Sequence, residues 1–363
     1  MSDLLVLVVK IDEVHPHPNA DKLEIVKVGG WQIVSGKGNY VVGQLAVHVP
    51  PDVMVPKDWA IAWGVRDYLS WKKDATKGRV KAVKLRGAPS FGFLAPVPGD
   101  DPIGTNLAEY LGIEKYEEPE STSPGQMARN HPLFHTYTDI QNLRNFPDQL
   151  NYGAPLILTE KIHGTNSRVG WVRSSNEIGN DYLEKVAGTH RTQRKIEQAG
   201  VYGLPFELYD KGLNTLYDIL TTTSVPGHAD GHVLIDSILV FGEIFGPGVQ
   251  DLTYGKEKAW RIFDIAINGT YLPWAYVKEI CVQCELPIVP HINPAVYTFK
   301  ELCELAEGDS VLSPGQIKEG IVVRPMDEET WGKKGDLDPH PKRRIFKVIS
   351  HDYLTRKGGT ERH

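Results

Sequence analysis

Cysteine, long apolar runs and net charge are all scarce in this 363-residue chain. Three cysteines, Cys281, Cys284 and Cys303, cannot staple a small disulfide fold, and they point to a reducing setting. Cys281-Val-Gln-Cys284 has half the spacing of a zinc site, but no second Cys/His pair follows at ligand distance. The pair is read instead as buried or half-buried thiols on a helix. No run reaches 18 consecutive apolar residues, so no membrane span is expected. Met1-Ser-Asp-Leu-Leu5 lacks the basic start and cleavage site of a secretory leader, so a cytoplasmic (or nucleoid-associated) location is expected. A formal net charge of −6 argues against a protein coated in basic surface, yet leaves room for a local basic face. Also absent are Gly-x-Gly-x-x-Gly opening a helix after a strand and the Walker Gly-x-x-x-x-Gly-Lys-Ser/Thr. Any nucleotide handled here needs another device.

What is present begins with short strands, expected at Leu4–Ile11, Glu24–Val28, Trp31–Ser35, Leu45–Val49 and Val80–Leu85. Turn signals such as Gly29-Gly30 and Gly36-Lys-Gly38 separate them. Five short strands with Gly-rich turns predict a small β-barrel of the OB type. His15 and His17, flanked by prolines, read as turn residues. The most basic stretch runs from Ser70 to Arg86 and includes Lys81, Lys84 and Arg86. Clustered cations suit phosphates, because each neutralised phosphate releases condensed counterions. Trp71 and Phe91 are the nearby candidates for stacking on bases. The alternative is an edge strand that uses lysine to block aggregation.

Pro96-Val-Pro-Gly-Asp-Asp-Pro102 closes this module, and Tyr116-Glu-Glu-Pro-Glu-Ser-Thr-Ser-Pro-Gly125 is acidic and turn-prone. We expect a nucleic-acid-binding module over 1–100, a linker over 101–125 with a short helix at Asn106–Leu111, and a second domain over 126–363. Tyr137–Phe146 is expected to be a helix capped by Thr138 or Asp139. Further on, strands are expected at Pro155–Lys161, Ser167–Arg173, Val233–Phe245, Trp260–Asn268, Gly320–Arg324 and Arg344–Ile349. Helices are expected near Asn214–Thr222 and Trp274–Cys284. Strand runs with interspersed helices and no βαβ rhythm argue for an α+β fold with antiparallel sheets and flanking helices.

The chemistry gathers at Leu156-Ile-Leu-Thr-Glu-Lys-Ile-His-Gly-Thr-Asn166, where an apolar strand delivers one lysine, Lys161, just before a glycine. Four later stretches set polar or aromatic residues at the edges of apolar strands. They are Phe241-Gly-Glu-Ile-Phe-Gly-Pro-Gly248, Phe263-Asp-Ile-Ala-Ile267, Glu319-Gly-Ile-Val-Val-Arg-Pro325 and Arg343-Arg-Ile-Phe-Lys-Val-Ile-Ser350. Alone, each reads as core or surface; their order and joint presence carry the argument.

Lys161-Ile-His-Gly-Thr-Asn166 resembles motif I of the covalent nucleotidyltransferases, and the four later stretches resemble motifs III, IIIa, IV and V in order. His163, where DNA ligases and capping enzymes usually have aspartate, favours RNA ligases, as does the longer match Phe241–Gly255. Ile11–Ile25 is similar to the opening of tRNA-binding OB modules attached to some aminoacyl-tRNA synthetases. A leading OB-like module, with almost nothing after motif V, is similar to one ATP-dependent RNA ligase family. The resemblance implies a lysyl-AMP intermediate, an adenylylated 5′ end and sealing of 3′-OH/5′-phosphate breaks, notably nicks in a duplex. It implies ATP as co-substrate, Mg²⁺ or Mn²⁺, and RNA or RNA-containing duplex ends as partners; the lack of a long apolar run and of a heptad or long apolar helix face adds the expectation of no membrane and a monomer.

By the same resemblance, Lys161 is the nucleophile, Glu160 contributes to adenine recognition and Phe263 stacks on the base. His163 and Asn166 place phosphates, and Arg191 binds ribose or phosphate, with Arg168, Arg173 and Arg194 as competitors for that role. Glu243 contacts ribose or metal, Glu319 is the principal metal-site carboxylate and Lys347 holds the α-phosphate. Where several ligases carry Lys-x-Lys in motif V, Ile345 stands here, so Arg343 or Arg344 is expected to supply the charge. A DNA ligase or capping guanylyltransferase using the same lysine, and a catalytically silent RNA-binding protein, are the alternative readings.

Overall fold

The computed structural model describes residues 3–73, 75–116, 127–176, 178–223, 234–331 and 342–356. The chain divides into two units. The first takes in Met1–Glu118, Ile140–Asp148 and His351–Lys357; the second holds Pro119–Asp139, Gln149–Ser350 and Gly358–His363.

The first unit is built from short antiparallel strands: β1 (Leu7–Lys10), β2 (Glu13–Pro16), β3 (Leu23–Val28), β4 (Trp31–Gly36), β5 (Leu45–Val49), β6 (Val53–Pro56), β7 (Lys77–Arg79), β8 (Ala82–Leu85), β9 (Ala88–Phe91) and β10 (Phe93–Ala95). They pair as β1-β5-β10, β2-β3-β4, β6-β7 and β8-β9. Successive side chains of a strand point to opposite faces, and β5 uses both. Val47 and Val49 join Val6, Val8 and Val55 in one core, while Ala46 joins Ile11, Val26, Ile33 and Phe91 in another. Arg86 and Gly87 link β8 to β9 with φ of 49° and 93°, the doubly positive pattern of a tight hairpin turn. His17 is buried and bonds Leu85 O at 3.0 Å, a structural role as its Pro-flanked setting suggests.

Several sequence expectations need correction. Leu107, Ala108, Leu111 and Ile113 are buried in the first core, so residues 101–116 pack into this unit rather than bridging out of it, and Asn106–Leu111 forms turns instead of a helix. Tyr137–Phe146 is not a helix either. Only Leu143–Asn145 makes a 3₁₀ turn, capped by the Asn142 side chain, because Leu143 and Arg144 are drawn into the first unit, where Arg144 donates to Gly30 O. Of the acidic connection read over Tyr116–Gly125, residues 117–125 lie outside the described residues. Residues 351–356 return to the first unit, where the His351 and Phe91 rings lie 4.3 Å apart between centroids, tilted by 31°.

The second unit carries two antiparallel sheets and is α+β. One sheet has the order β13 (Asp181–Gly188), β12 (Thr165–Ser175), β14 (Ser237–Phe245), β15 (Ala259–Ile267). In the other, β18 (Phe346–Ile349), β17 (Gly320–Pro325), β11 (Leu156–Lys161) and β16 (His291–Ala295) are neighbours in that order. Helix α1 (Leu204–Thr222) buries Leu213, Leu216 and Leu220, a one-sided stripe that meets the sheet where Trp171 and Tyr217 lie 5.1 Å apart. Helix α2 (Trp274–Gln283) buries Cys281, and Cys284 caps its end; burial pushes these thiols up to about 12 and about 11, as inert core cysteines. β13 and β16 escape the sequence reading because their residues are mostly polar or exposed, and β16 also contains Pro294.

Candidate active site

Lys161 ends β11, and the strand before it is apolar because neighbours cover it on both edges and both faces. The register sets Lys161 opposite Gly320, the residue after Glu319, and sets Val322 of β17 opposite Lys347 of β18. Neighbouring strands therefore gather Lys161, Glu319 and Lys347 from distant parts of the sequence. Lys161 Nζ lies 2.7 Å from Glu319 Oε1, with side chains 25% and 12% exposed. Burial opposes ionisation of Glu319. The charges of Lys161, His163 and Lys347, together with the bond from Lys161, outweigh it and hold the carboxyl below the usual glutamate value.

Gly164 follows the Lys161 strand for reasons of space. A Cβ there would sit 2.1 Å from Ile244 O and 2.9 Å from Glu243 Cγ, so only glycine admits β14 this closely. Glu243 stands opposite Asn166 in the β12–β14 ladder. Burial is the main reason its carboxyl is pushed up to about 8. Glu319 adds to that rise, while Lys161 and the Gly164 N–H oppose it. Two neighbouring carboxyls are thus shifted in opposite directions, Glu319 towards the ionised form and Glu243 towards the protonated form.

The His163 ring is buried, with Nε2 at 2.7 Å from Asp251 Oδ1 and Nδ1 at 4.0 Å from Glu319 Oε2. Its backbone N–H donates to the Tyr254 hydroxyl at 3.0 Å, and Gln250 Nε2 donates to Gly164 O at 3.1 Å. Asp251, Tyr254 and Gln250 were missed as site residues, although all lie in the Phe241–Gly255 stretch. Nothing in their spacing says that the loop folds back onto His163. The positive φ of Tyr254, 54°, belongs to that return.

Glu160 has both carboxylate oxygens engaged, by the Ser310 hydroxyl and by the Val311 N–H at 2.9 Å. Phe263 is half-buried and meets Tyr137 edge-on at 4.9 Å. The next residue, Asp264, is fully buried between Arg343 at 2.5 Å, Tyr137 Oη at 2.7 Å and Arg324 at 3.1 Å. Burial raises the Asp264 pKa, but the two guanidinium groups pull it below the ordinary value. Arg343 also forks onto Glu328, and Arg344 pairs with Glu329 at 3.0 Å. The extra motif V charge expected from one of these arginines is therefore neutralised by acidic partners of their own.

Among the arginines after motif I, Arg168 is buried and spends its donors on Thr189 O, Phe134 O and His135 O. Arg173 bonds Asp236 and Ile235 O. Arg191 is half-buried, with its Nε 3.0 Å from His190 Nε2. In the first unit, Lys81, Lys84 and Arg86 are exposed, and Lys84 pairs with Asp352 at 3.0 Å. Phe91 is fully buried and cannot stack on a base, which corrects that expectation; its ring fills the core shared with Ile11 and Ala46.

Among the described residues, no three His, Cys, Asp or Glu side chains converge as a self-sufficient metal cage. Glu319, Glu243 and the buried, unpartnered Asn166 Oδ1 are all oxygen donors. That set fits Mg²⁺ or Mn²⁺, which takes its remaining ligands from water and phosphate. Among the described residues, no helix is long and apolar enough to cross a membrane.

The RNA ligase family model matches residues 154–349, and an OB-fold domain model matches residues 5–97. A mutant RNA ligase of Naegleria gruberi with AMP and Mn superposes with a TM-score of 0.75 at 21% identity, covering 96% of this chain and 98% of that one. Another mutant of that ligase, with ATP and Mn, gives 0.73 at 21% identity over 97% and 98%. At such identity the likeness is one of fold. The phenylalanine–tRNA ligase beta subunit of Pseudoalteromonas translucida is 31% identical over 129 residues, 30% of this chain, which spans 14% of that subunit's length.

Proposed function

We propose, because this chain belongs to the RNA ligase family, that it is an ATP-dependent RNA ligase sealing 3′-OH/5′-phosphate breaks, above all nicks in a duplex. The observation that carries the reading is the ion pair between Lys161 and Glu319 at 2.7 Å, with Lys347 on the adjoining strand pair. A single amine held among buried carboxyls, at the end of a rigid sheet, is the arrangement a covalent nucleotidyl carrier requires.

In the proposed reaction, Lys161 Nζ loses a proton and attacks the α-phosphorus of ATP, and pyrophosphate leaves. The AMP passes from Lys161 to the 5′-phosphate of a nucleic-acid end, and a 3′-hydroxyl then displaces it. The ion pair with Glu319 restrains the amine before substrate enters, so attack requires Glu319 to take another partner. Lys347 would hold the α-phosphate, and Arg191, Asn166 and His163 would orient the remaining phosphates and the incoming end. Phe263 would stack on adenine, and Glu160, fixed by Ser310 and Val311, would shape the edge of that pocket. Glu319 and Glu243 are the groups that would hold Mg²⁺ or Mn²⁺, which when bound would neutralise polyphosphate charge. The Naegleria gruberi ligase structures with ATP or AMP and Mn support this choice of co-substrate and ion. Transfer of this kind rests on positioning and charge stabilisation, which such a site supplies.

The first unit would grip the nucleic acid, with Lys81, Lys84 and Arg86 on phosphates. The test is incubation with α-labelled ATP or GTP plus Mg²⁺ or Mn²⁺, read on a denaturing gel. Label from ATP is expected on the protein and not on Lys161→Ala. Preferential labelling by GTP would point to capping chemistry, and no label from either nucleotide on folded protein would sink the ligase reading.

A further inference from the structure

Arg194 is buried, and among the described residues no carboxylate pairs with it. It sits in the two-residue strand Gln193–Arg194 opposite Ala187 of β13 and retains 6% of its surface. Its Nε and Nη1 are both buried without a hydrogen-bond partner. The guanidinium lies 5.6 Å from the centre of the Tyr202 ring. The Tyr202 hydroxyl in turn stands 3.1 Å from Thr165 Oγ1, at the start of β12 and next to Gly164. This differs from Arg168 and Arg173 in the same sheet, whose guanidinium groups are bound by carbonyls or carboxylates.

Guanidinium nitrogens withdrawn from water without an acceptor are disfavoured, so an acceptor that arrives with the substrate would relieve Nε and Nη1. The planar fork of arginine matches phosphate oxygens two at a time, and adjacent hydroxyls add donors. We propose that Arg194, with the Tyr202 and Thr165 hydroxyls, forms a phosphate-binding subsite beside the nucleophile loop, separate from the role given to Arg191. The inference rests on the ligase reading for the identity of its phosphate. Two sources share the chemistry: the pyrophosphate portion of ATP, and a phosphate of the nucleic-acid end.

The experiment compares wild type with Arg194→Met in three measurements. These are thermal unfolding with pyrophosphate as probe, the KM for ATP in self-adenylylation, and the KM for a nicked duplex whose 5′ end is already adenylylated. If ATP is the source, pyrophosphate protection is lost and the KM for ATP rises about ten- to a hundredfold, with pre-adenylylated sealing little changed. If the strand end is the source, the KM for the nick rises by that factor and pyrophosphate protection persists. Wild-type values in all three overturn the proposal, as does an equal loss of both activities that tracks a lower melting temperature without ligand. Should Arg194→Met not fold, Arg194→Gln, polar and uncharged, is judged by the same outcomes. A wild-type chain that takes no label from ATP removes the ligase reading, while the pyrophosphate melt still reports on the subsite.

Discussion

His163 and Asp251, 88 residues apart in sequence, are joined at 2.7 Å between imidazole Nε2 and carboxylate Oδ1, within the shell that surrounds Lys161. The bond fixes the ring so that Nδ1 faces Glu319. In the proposed reaction Asp251 would act on the site through His163, as a positioning residue. Asp251→Ala should slow transfer of AMP to Lys161 about ten- to a hundredfold, the scale of one hydrogen bond to a charged group. Asp251→Asn, which keeps an acceptor oxygen, should lose less. Single-turnover labelling measures both, and wild-type rates for Asp251→Ala would remove the residue from the site.

Beneath Phe263, Asp264 neutralises two buried guanidinium groups at once. Replacing it with alanine leaves Arg324 and Arg343 short of their shared anion and should cost about 3–5 kcal/mol in denaturant melts. Arg344→Ala breaks a more exposed pair with Glu329 and should cost less than about 1 kcal/mol by the same measurement. Equal losses would contradict the division between core and surface pairs.

Stability of the first unit should fall as the solution is acidified. His48 is buried with Nε2 at 2.9 Å from Phe91 O, and burial depresses its pKa to about 4. The unfolded chain, with an ordinary histidine value of about 6.5, binds the proton first. The contribution is therefore present above about pH 6.5 and is lost progressively as pH falls towards about 4, on the order of 3 kcal/mol at the limit. His48→Gln should flatten the melting temperature across that window, and an unchanged slope would assign it to other groups.

If the β8–β9 edge contacts phosphates, replacing Lys81 and Arg86 together should reduce the slope of log affinity against log salt by about 0.7–0.9 per lost contact. Lys84→Ala should change it less, since Lys84 must first leave Asp352. Fluorescence anisotropy over a salt series on a nicked RNA duplex reads both. An unchanged slope in the double variant would return this strand to plain edge protection.

Local pattern marked β11 with its terminal lysine and the β14, β15 and β17 strands, and the resemblance to the nucleotidyltransferase motifs singled out Glu243, Phe263, Glu319 and Lys347 as a set. Such strands are buried runs of apolar residues ending in polar ones, and that pattern needs no partner to be read. The pattern could not say which charges remain available. Tertiary packing committed Arg343 to Asp264 and Glu328, placed Phe91 in a core, returned residues 351–356 to the first unit and drew 140–148 there as well. It also set Asp251 on His163 and, among the described residues, left Arg194 Nε and Nη1 without an acceptor. The physical reason is the same throughout. Strand propensity and hydrophobic alternation act over a few residues, whereas an ion pair or a buried ring is decided by whichever distant segment the sheet register brings within bonding distance.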